Sequence, residues 1–263
     1  MDGHRDGPAG PRQRRWRRWA AGAGAIAVYG YSLRLTDVDF GRLARGLSRM
    51  AGWATSAWPP ATGELTLVLA RAAETAAIAV VGTTVAAAVA IVLCVPAARN
   101  LTPRGPAHLL SRLTLNTLRG VDSFVFALLF VAAVGLGPFA GMLGVAMHSA
   151  GTMGKLFAEN IEGLPAGPLE AARLTGASRS KVVTWAVAPD ALPGLASVAL
   201  YVFEFNIRSS IVLGVVGAGG IGQELKNAFE LLDFQRVLTV VLVILAMVTI
   251  VDHASSRLRR TLG

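Results

Sequence analysis

Long apolar runs, separated by short polar or glycine-rich stretches, dominate the pattern of this 263-residue chain. Several runs approach or exceed the ~18 residues that a membrane-spanning helix needs. They lack the period-two alternation of barrel strands, and only helices and closed barrels satisfy every backbone group in lipid. The pattern predicts an all-α integral membrane protein with six transmembrane helices: one in each of the runs 20–35, 65–95, 189–213 and 237–251, and two in the run 121–159.

The run 121–159 is too long for one crossing, and Gly135, Gly137 and Pro138 predict a tight turn that divides it. This division places the polar segments 96–119 and 166–189 on the same side of the membrane. Both segments are rich in arginine and lysine, which are enriched in cytoplasmic loops. We therefore predict that both termini lie in the cytoplasm.

Three regions follow from this pattern. Residues 1–19 are rich in glycine, proline and arginine, which predicts a basic, disordered N-terminus. Residues 20–63 are predicted to hold the first transmembrane helix and an amphipathic segment at the outer interface. A signal peptide is the alternative for the first run, but no small-residue cleavage site follows Leu35. Residues 64–263 hold the other five predicted spans.

Composition supports a membrane protein and argues against nucleic acid as a partner. The chain is 53% hydrophobic with 16% charged residues, whereas about 25% is usual in soluble domains. Its net charge is +9, but the arginines flank the apolar runs, which favours membrane topology and contact with lipid headgroups. Cys94 is the only cysteine, so an intrachain disulfide and a cysteine metal site are excluded.

The polar segment 168–189 predicts two short helices outside the membrane. Glu170, Ala171 and Ala172 are good helix formers, and Gly176 lets the chain bend. A second helix can begin at Ser178, and a proline at 189 suits the first turn of the next apolar helix. These short helices are predicted to lie at an angle on the cytoplasmic side.

The spacing of Glu170-Ala171-Ala172 and Gly176 resembles the EAA loop of ABC-importer permeases. The Ile-x-Leu-Pro of that pattern corresponds here to 186–189, where the proline is kept and alanine replaces both large aliphatic residues. The resemblance covers residues 64 to 263. Four further segments are similar to the phosphonate branch of this family: 96–100, 135–141, 205–210 and 213–222.

The resemblance implies a type I ABC importer permease fold in the bacterial cytoplasmic membrane, for a phosphonate, phosphite, phosphate or phosphate ester. Glu170, Ala171, Ala172 and Gly176 would belong to coupling helices, at about 166–189, that dock on the ATPase. The implied partners are a second permease copy in a homodimer, an ATPase dimer and an extracytoplasmic phosphonate-binding protein. This chain is expected to be neither an enzyme nor a cofactor carrier. ATP and magnesium would be bound by the ATPase, because 214–222 lacks the Gly-Lys-Ser/Thr of a phosphate loop.

Ionisable residues inside the predicted spans are candidates for the translocation path, because they usually face a cavity or a partner. Glu204 and Arg208 share one helix face, and two interpretations remain open: an internal salt bridge, or a path lining in which Arg208 attracts an anion. Glu74 is a possible counter-charge for Arg208. Asn206 is expected to bond between helices, and His148 to be a packing hydrogen-bonder, with a path role as its alternative.

The glycine-rich stretch 214–222 cannot be a regular lipid-facing helix, since irregular backbone at membrane depth needs protein or water beside it. A packing device, a hinge and a gate are the alternatives. Its several glycines within nine residues exceed what packing needs, which favours a mobile element lining the path. The predicted path and gate residues are Glu204, Asn206, Arg208, Ser209, Gly217, Gly219, Gly220 and Gly222.

Three other functions are alternatives. A permease for methionine or an osmolyte would share the EAA loop, but the segment 206–208 argues against it. An ion-coupled secondary transporter often shows inverted repeats, which are not seen here, and would leave the EAA-like segment unexplained. A membrane-bound enzyme lacks support, because the sequence shows no metal cluster and no nucleophile with a base. A neighbouring ATPase gene would separate the importers from the rest.

Overall fold

The computed structural model describes residues 11–102 and 105–262, and nearly all of these are helical, with no strand among them. The predicted all-α class is therefore confirmed. The chain divides into two compact units, Met1–Thr55 and Ser56–Gly263.

The first unit contains α1 (Pro11–Leu35) and α2 (Phe40–Ser56). The predicted disorder of residues 1–19 is wrong from Pro11 onward: a proline suits a first helical turn, and arginine is a good helix former. Residues 1–10 lie outside the described residues. Asp39 caps α2, because its Oδ1 accepts the backbone N–H of Gly41 at 2.7 Å.

Helix α2 leaves its apolar side chains uncovered. Phe40, Leu43, Leu47 and Met50 are all more than half exposed, and none of the helix is buried. The predicted amphipathic helix is present. Its place at the outer membrane interface stays a prediction.

The second unit forms a helical bundle. The turn after Val134 confirms the predicted division of the run 121–159, and the break between Leu174 and Arg179 confirms two short helices in the segment 166–189. The π-helical turn Val183–Val187 precedes the long helix Ala188–Leu213, and the distorted turn Gly214–Ala218 follows it. The helices are α3 (Leu65–Ala97), α4 (Pro106–Gly120), α5 (Ser123–Val134), α6 (Pro138–Glu162), α7 (Ala166–Leu174), α8 (Arg179–Val182), α9 (Ala188–Leu213), α10 (Gly220–Glu230) and α11 (Phe234–Leu262).

By length and apolarity alone, three helical stretches of the described chain qualify as membrane spans: Leu65–Ala97, Arg179–Ala218 and Phe234–Thr261. The α4–α5 pair, bent by 87°, would make a fourth. The first predicted span does not qualify, because its apolar run is short and follows the arginine-rich start of α1. Helix α6 does not qualify either, because it contains polar residues, and the bundle buries much of its length. The count of six remains a prediction.

Small residues let α3, α5 and α6 pack closely. A Cβ on Gly82 would lie 3.0 Å from Val145 Cγ1, and one on Gly144 would lie 2.9 Å from the Cα of Ala127. The alanines of α3 that face this contact, such as Ala79 and Ala86, are fully buried. The small-residue surface predicted for this span is therefore a packing surface.

Helix α4 ties together the ends of α3 and α6. Arg112 Nε donates to the carbonyl of Ala97 at 2.9 Å, and the same guanidinium pairs with Glu162. Glu162 also accepts the backbone N–H of Arg99 at 2.7 Å. These contacts satisfy backbone groups that a helix end leaves free, and they fix one end of the bundle.

Candidate functional site

The segment from α7 to α9 lies at the same end of the bundle. Leu169 is buried in the cluster that contains Ala97 and Ile161, whereas Glu170 and Ala171 are exposed. Gly176 ends the first short helix with a φ of +74°, a left-handed conformation that favours glycine, and a Cβ there would have no atom within 4 Å. The conformation of the turn therefore depends on glycine, and no atom of the bundle covers the turn at Gly176.

Two large apolar side chains beside this turn are uncovered. Leu174 is 89% exposed and Trp185 is 82% exposed. Leu169 packs α7 against the bundle. Leu174, Trp185 and Glu170 therefore lie on a surface that the bundle does not cover. Such a patch is typical of a site that contacts another molecule.

Glu204 and Arg208 do not pair with each other, although they lie one turn apart on α9. Arg259 donates to Glu204 Oε1 at 2.7 Å, and Arg208 donates to Asp252 Oδ1 at 2.7 Å. The interpretation as an internal α9 salt bridge is therefore wrong. Helix α11 places a residue of the opposite charge beside each of them, so Glu204 and Arg208 pair with α11 and not with each other.

Sequence reasoning missed the partners on α11. Neither Asp252 nor Arg259 is among the residues that the sequence predicts for the path. The available signal was an acidic residue directly after the apolar run 237–251, where an unpaired carboxylate would be costly.

Glu74 is not the counter-charge of Arg208. Its Oε2 accepts from Arg71 Nη1 at 2.7 Å, one turn away on α3. It also borders the glycine-rich break, because a Cβ on Gly219 would lie 2.8 Å from its Oε1. The earlier expectation fails because Glu74 and Arg208 contact different helices.

Arg208 lines a cavity of about 280 Å³ between α9 and the first turn of α5. Its side chain is 53% exposed despite the pairing with Asp252. Ser209 Oγ lies 2.8 Å from Ser123 Oγ in the same cavity. Asp122 caps α5 by accepting the Phe124 N–H at 2.8 Å, so a negative charge also lines the cavity.

Asn206 joins three helices, as expected of a residue that bonds between them. Its Nδ2 donates to Thr83 Oγ1 on α3, and its Oδ1 accepts from Ser149 Oγ on α6, each at 2.8 Å. The side chain is 1% exposed, so it does not face the Arg208 cavity.

Replacing Asn206 by leucine is expected to lower the free energy of unfolding by about 1–3 kcal/mol. The buried hydroxyl groups of Thr83 and Ser149 each lose a hydrogen-bond partner. The bonds themselves average ~0.6 kcal/mol, and leaving a buried polar group unsatisfied costs more. Denaturant titration of the purified protein measures this free energy. Asn227→Leu, at an exposed position of α10, is the matched control. Equal stability of the two variants would show that the network contributes nothing.

His148 forms a hydrogen bond with the backbone of a neighbouring segment. Its Nδ1 lies 2.8 Å from the carbonyl oxygen of Val121, which requires the proton on Nδ1. The ring also lies 6.4 Å from that of Phe205. This contact is the packing hydrogen bond that was expected. Among the described residues, no group of histidine, cysteine or acidic side chains could hold a metal ion.

The glycine-rich break lies at the other end of α9 from the α7–α8 turn. Val216 and Gly217 leave helical geometry, and the Gly217 carbonyl accepts the backbone N–H of Gly137 at 2.9 Å. Ile221 N–H donates to Thr75 Oγ1 at 2.8 Å, which holds the start of α10 against α3. The break is therefore clamped between α3 and the α5–α6 turn.

Crowding and backbone conformation account for the glycines of this break. A Cβ on Gly222 would lie 1.8 Å from the Ile211 carbonyl oxygen, and one on Gly217 would lie 2.3 Å from Leu136 Cδ2 at a φ of +92°. Gly219 and Gly220 are similarly crowded. The reasoning that their number exceeds what packing needs is wrong: Gly222 lies against backbone, and Gly217, Gly219 and Gly220 have positive φ values that favour glycine. The gate role stays a prediction.

Gly222→Ala is expected to remove most of the folded protein, since the added methyl group overlaps a carbonyl that belongs to a rigid helix. Size-exclusion chromatography of the detergent-solubilised protein measures the monodisperse fraction. Gly120→Ala is the control, because a Cβ there meets no atom within 4 Å. Wild-type yield of Gly222→Ala would contradict the described packing.

Comparisons with known proteins agree on one family. The binding-protein-dependent transport system inner membrane component family matches residues 90–262. The chain is 43% identical to the phosphite transport system permease protein HtxC of Stutzerimonas stutzeri, over 94% of this chain and 87% of that one. It is 41% identical to the phosphite transport system permease protein PtxC of the same organism, over 85% and 81% respectively.

A solved structure shows the same fold. The MetNI methionine ABC transporter in an inward-facing conformation contains a chain that superposes with a TM-score of 0.69 at 20% identity. The superposition covers 77% of this chain and 99% of that one. Because the family match spans more than half of the chain, this protein belongs to the binding-protein-dependent transport system inner membrane components, with the fold of a type I ABC importer permease.

Proposed function

We propose that this chain is the permease subunit through which an ABC importer moves a small phosphorus oxyanion, of the phosphite or phosphonate class, into the cytoplasm. The observation that carries the substrate class is the similarity to two phosphite permeases over most of the chain. A partner ATPase hydrolyses the ATP, and an extracytoplasmic binding protein delivers the anion.

The Arg208 cavity is the proposed contact for the anion in the path. Its half-exposed guanidinium offers forked donors to oxyanion oxygens. The first turn of α5, a 12-residue helix, adds the partial positive charge of a helix N-terminus. Asp122 and Asp252 oppose tight binding, which suits a site that must also release its ligand.

The exposed turn around Gly176 is the proposed contact with the ATPase. Glu170, Leu174 and Trp185 present carboxylate and apolar surface that the bundle leaves uncovered. Because this segment continues through the π-helical stretch into α9, movement of the turn reaches the helix that carries Arg208.

A second permease chain completes the path in this proposal. Arg208 and Asp252 are 53% and 41% exposed, and a charged pair at membrane depth is costly against lipid. A two-fold partner would cover them with its own copy of the same surface. A related but different permease chain is the alternative occupant, and mass spectrometry of the purified complex separates the two.

Cells test the substrate class. A bacterial strain without other phosphite or phosphonate importers, carrying this chain with its ATPase and binding protein, is expected to grow with phosphite or a phosphonate as its phosphorus source. The same strain with the chain deleted is the control. Equal growth of the two strains would contradict the proposal.

The proposed orientation predicts which positions a membrane-impermeant thiol reagent reaches. In a Cys94→Ala background, Leu232→Cys is expected to be labelled from outside intact cells and Ser178→Cys only after lysis, because basic segments stay inside. Both positions are exposed, so a difference reflects sidedness. Labelling of Ser178→Cys in intact cells would reverse the orientation.

A further inference from the structure

Three arginines line one cavity beside the α7–α8 turn. The cavity has a volume of about 430 Å³ and lies between the residues that follow α3 and the two short helices. Arg99 comes from the first of these, and Arg173 and Arg179 from the second. This cavity is distinct from the Arg208 cavity and lies at the end of the bundle where α3 and α6 end.

These three guanidinium groups have no carboxylate partner among the described residues. Glu162 is close, but its side chain pairs with Arg112 and accepts only the backbone N–H of Arg99. Arg173 donates to the carbonyl of Asn100, a neutral acceptor. The cavity therefore carries uncompensated positive charge.

Five other arginines of the bundle are each paired with a glutamate or an aspartate: Arg71, Arg112, Arg208, Arg236 and Arg259. Arg119, Arg257 and Arg260 are exposed and have no such partner among the described residues. Arginines at a cytoplasmic flank need only contact water to set topology. Three that share one cavity repel each other, and a bound anion would offset that repulsion.

We propose that this cavity binds a phosphate-bearing anion from the cytoplasmic side. Guanidinium forks match the oxygens of a tetrahedral oxyanion, and Arg is favoured wherever such recognition occurs. The volume lies within the ~300–1,000 Å³ range of small-molecule sites. The ligand is either dissolved inorganic phosphate or phosphite, or the headgroup of an anionic lipid in the cytoplasmic leaflet.

A bound anion would also hold the α7–α8 turn against the end of α3. Arg173 and Arg179 stand on either side of Gly176, and Arg99 belongs to the other wall. The occupied site would therefore restrict the movement of the turn. This consequence rests on the proposed coupling function, whereas anion binding itself does not.

Binding to the purified permease–ATPase complex tests the proposal. One arm measures equilibrium binding of radiolabelled inorganic phosphate in phosphatidylcholine nanodiscs, at constant ionic strength set with chloride. The other uses native mass spectrometry to count the phosphatidylglycerol retained from mixed nanodiscs. The test variant is the double replacement Arg99→Gln with Arg179→Gln. The matched control is Arg257→Gln with Arg260→Gln, which removes the same charge from exposed, unpaired arginines of α11.

The test variant is expected to lose at least about tenfold in affinity for phosphate, or to lose the retained lipid, since one charge-assisted hydrogen bond contributes ~1.5–3 kcal/mol. The control variant is expected to keep both. Loss of phosphate identifies the dissolved anion, and loss of lipid alone identifies the headgroup. Equal binding by wild type and test variant, or equal loss in test and control variants, would overturn the proposal. Arg208→Ala is expected to keep anion binding at this cavity, because Arg208 lines the other one. A defect in the proposed transport function is therefore distinguishable from a defect in this site.

Discussion

Gly176→Asp is expected to abolish ATP-driven uptake while the protein still folds and inserts. The turn has a φ of +74°, which aspartate tolerates better than most residues, and no atom of the chain lies within 4 Å of the new Cβ. The bundle therefore accepts the change. The added carboxylate would occupy the surface proposed to dock on the ATPase, beside exposed Leu174, where an unpaired buried charge is costly.

Two controls separate docking from folding. Gly176→Asn has nearly the same shape and the same tolerance of positive φ but no charge, so it is expected to keep more uptake. Gly63→Asp adds the same charge at another open glycine. Co-purification of the ATPase reports association directly. Normal uptake and normal ATPase association in Gly176→Asp would remove the turn from the coupling surface.

Arg208→Ala is expected to reduce uptake about 10- to 100-fold, because a charge-assisted hydrogen bond contributes ~1.5–3 kcal/mol and each 1.4 kcal/mol is tenfold. Assembly should remain, because Asp252 is partly exposed and can be solvated when its partner is lost. Arg208→Lys keeps the charge but loses the fork, so its loss should be smaller.

Replacement of both members of the pair distinguishes an anion contact from a structural ion pair. If Arg208 acts on the anion, Arg208→Ala with Asp252→Ala should transport as poorly as Arg208→Ala alone. If the pair is only structural, removing both charges should restore uptake and assembly together. Glu204→Gln is the control, because it breaks the neighbouring ion pair with Arg259. We expect this variant to lose stability more than uptake.

The sequence was sufficient for elements whose signal is local. Three features were predictable because each has its own local signal: the run that forms α3, the Gly-Leu-Gly-Pro turn before α6, and the break at Gly176. The start of α1 was not, because glycine and proline before residue 11 suggested disorder for the arginines after them.

The contacts of α9 show where sequence reasoning ends. Periodicity predicts that Glu204 and Arg208 share a face, but it does not show that α11 places Asp252 and Arg259 opposite them. The glycines of 214–222 illustrate the same limit, because the crowding that requires Gly222 comes from a backbone carbonyl of α9. Pairings between helices depend on the packed bundle, which a single sequence does not display.

Uptake by proteoliposomes tests directly whether this chain is part of an ATP-driven importer of phosphorus oxyanions. The purified permease, its ATPase and its binding protein are reconstituted, and the accumulation of labelled phosphite, methylphosphonate, phosphate and methionine is measured with ATP and with a non-hydrolysable analogue. We expect ATP-dependent accumulation of phosphite or methylphosphonate and none of methionine. Accumulation of methionine, or accumulation driven by an ion gradient without ATP, would contradict it.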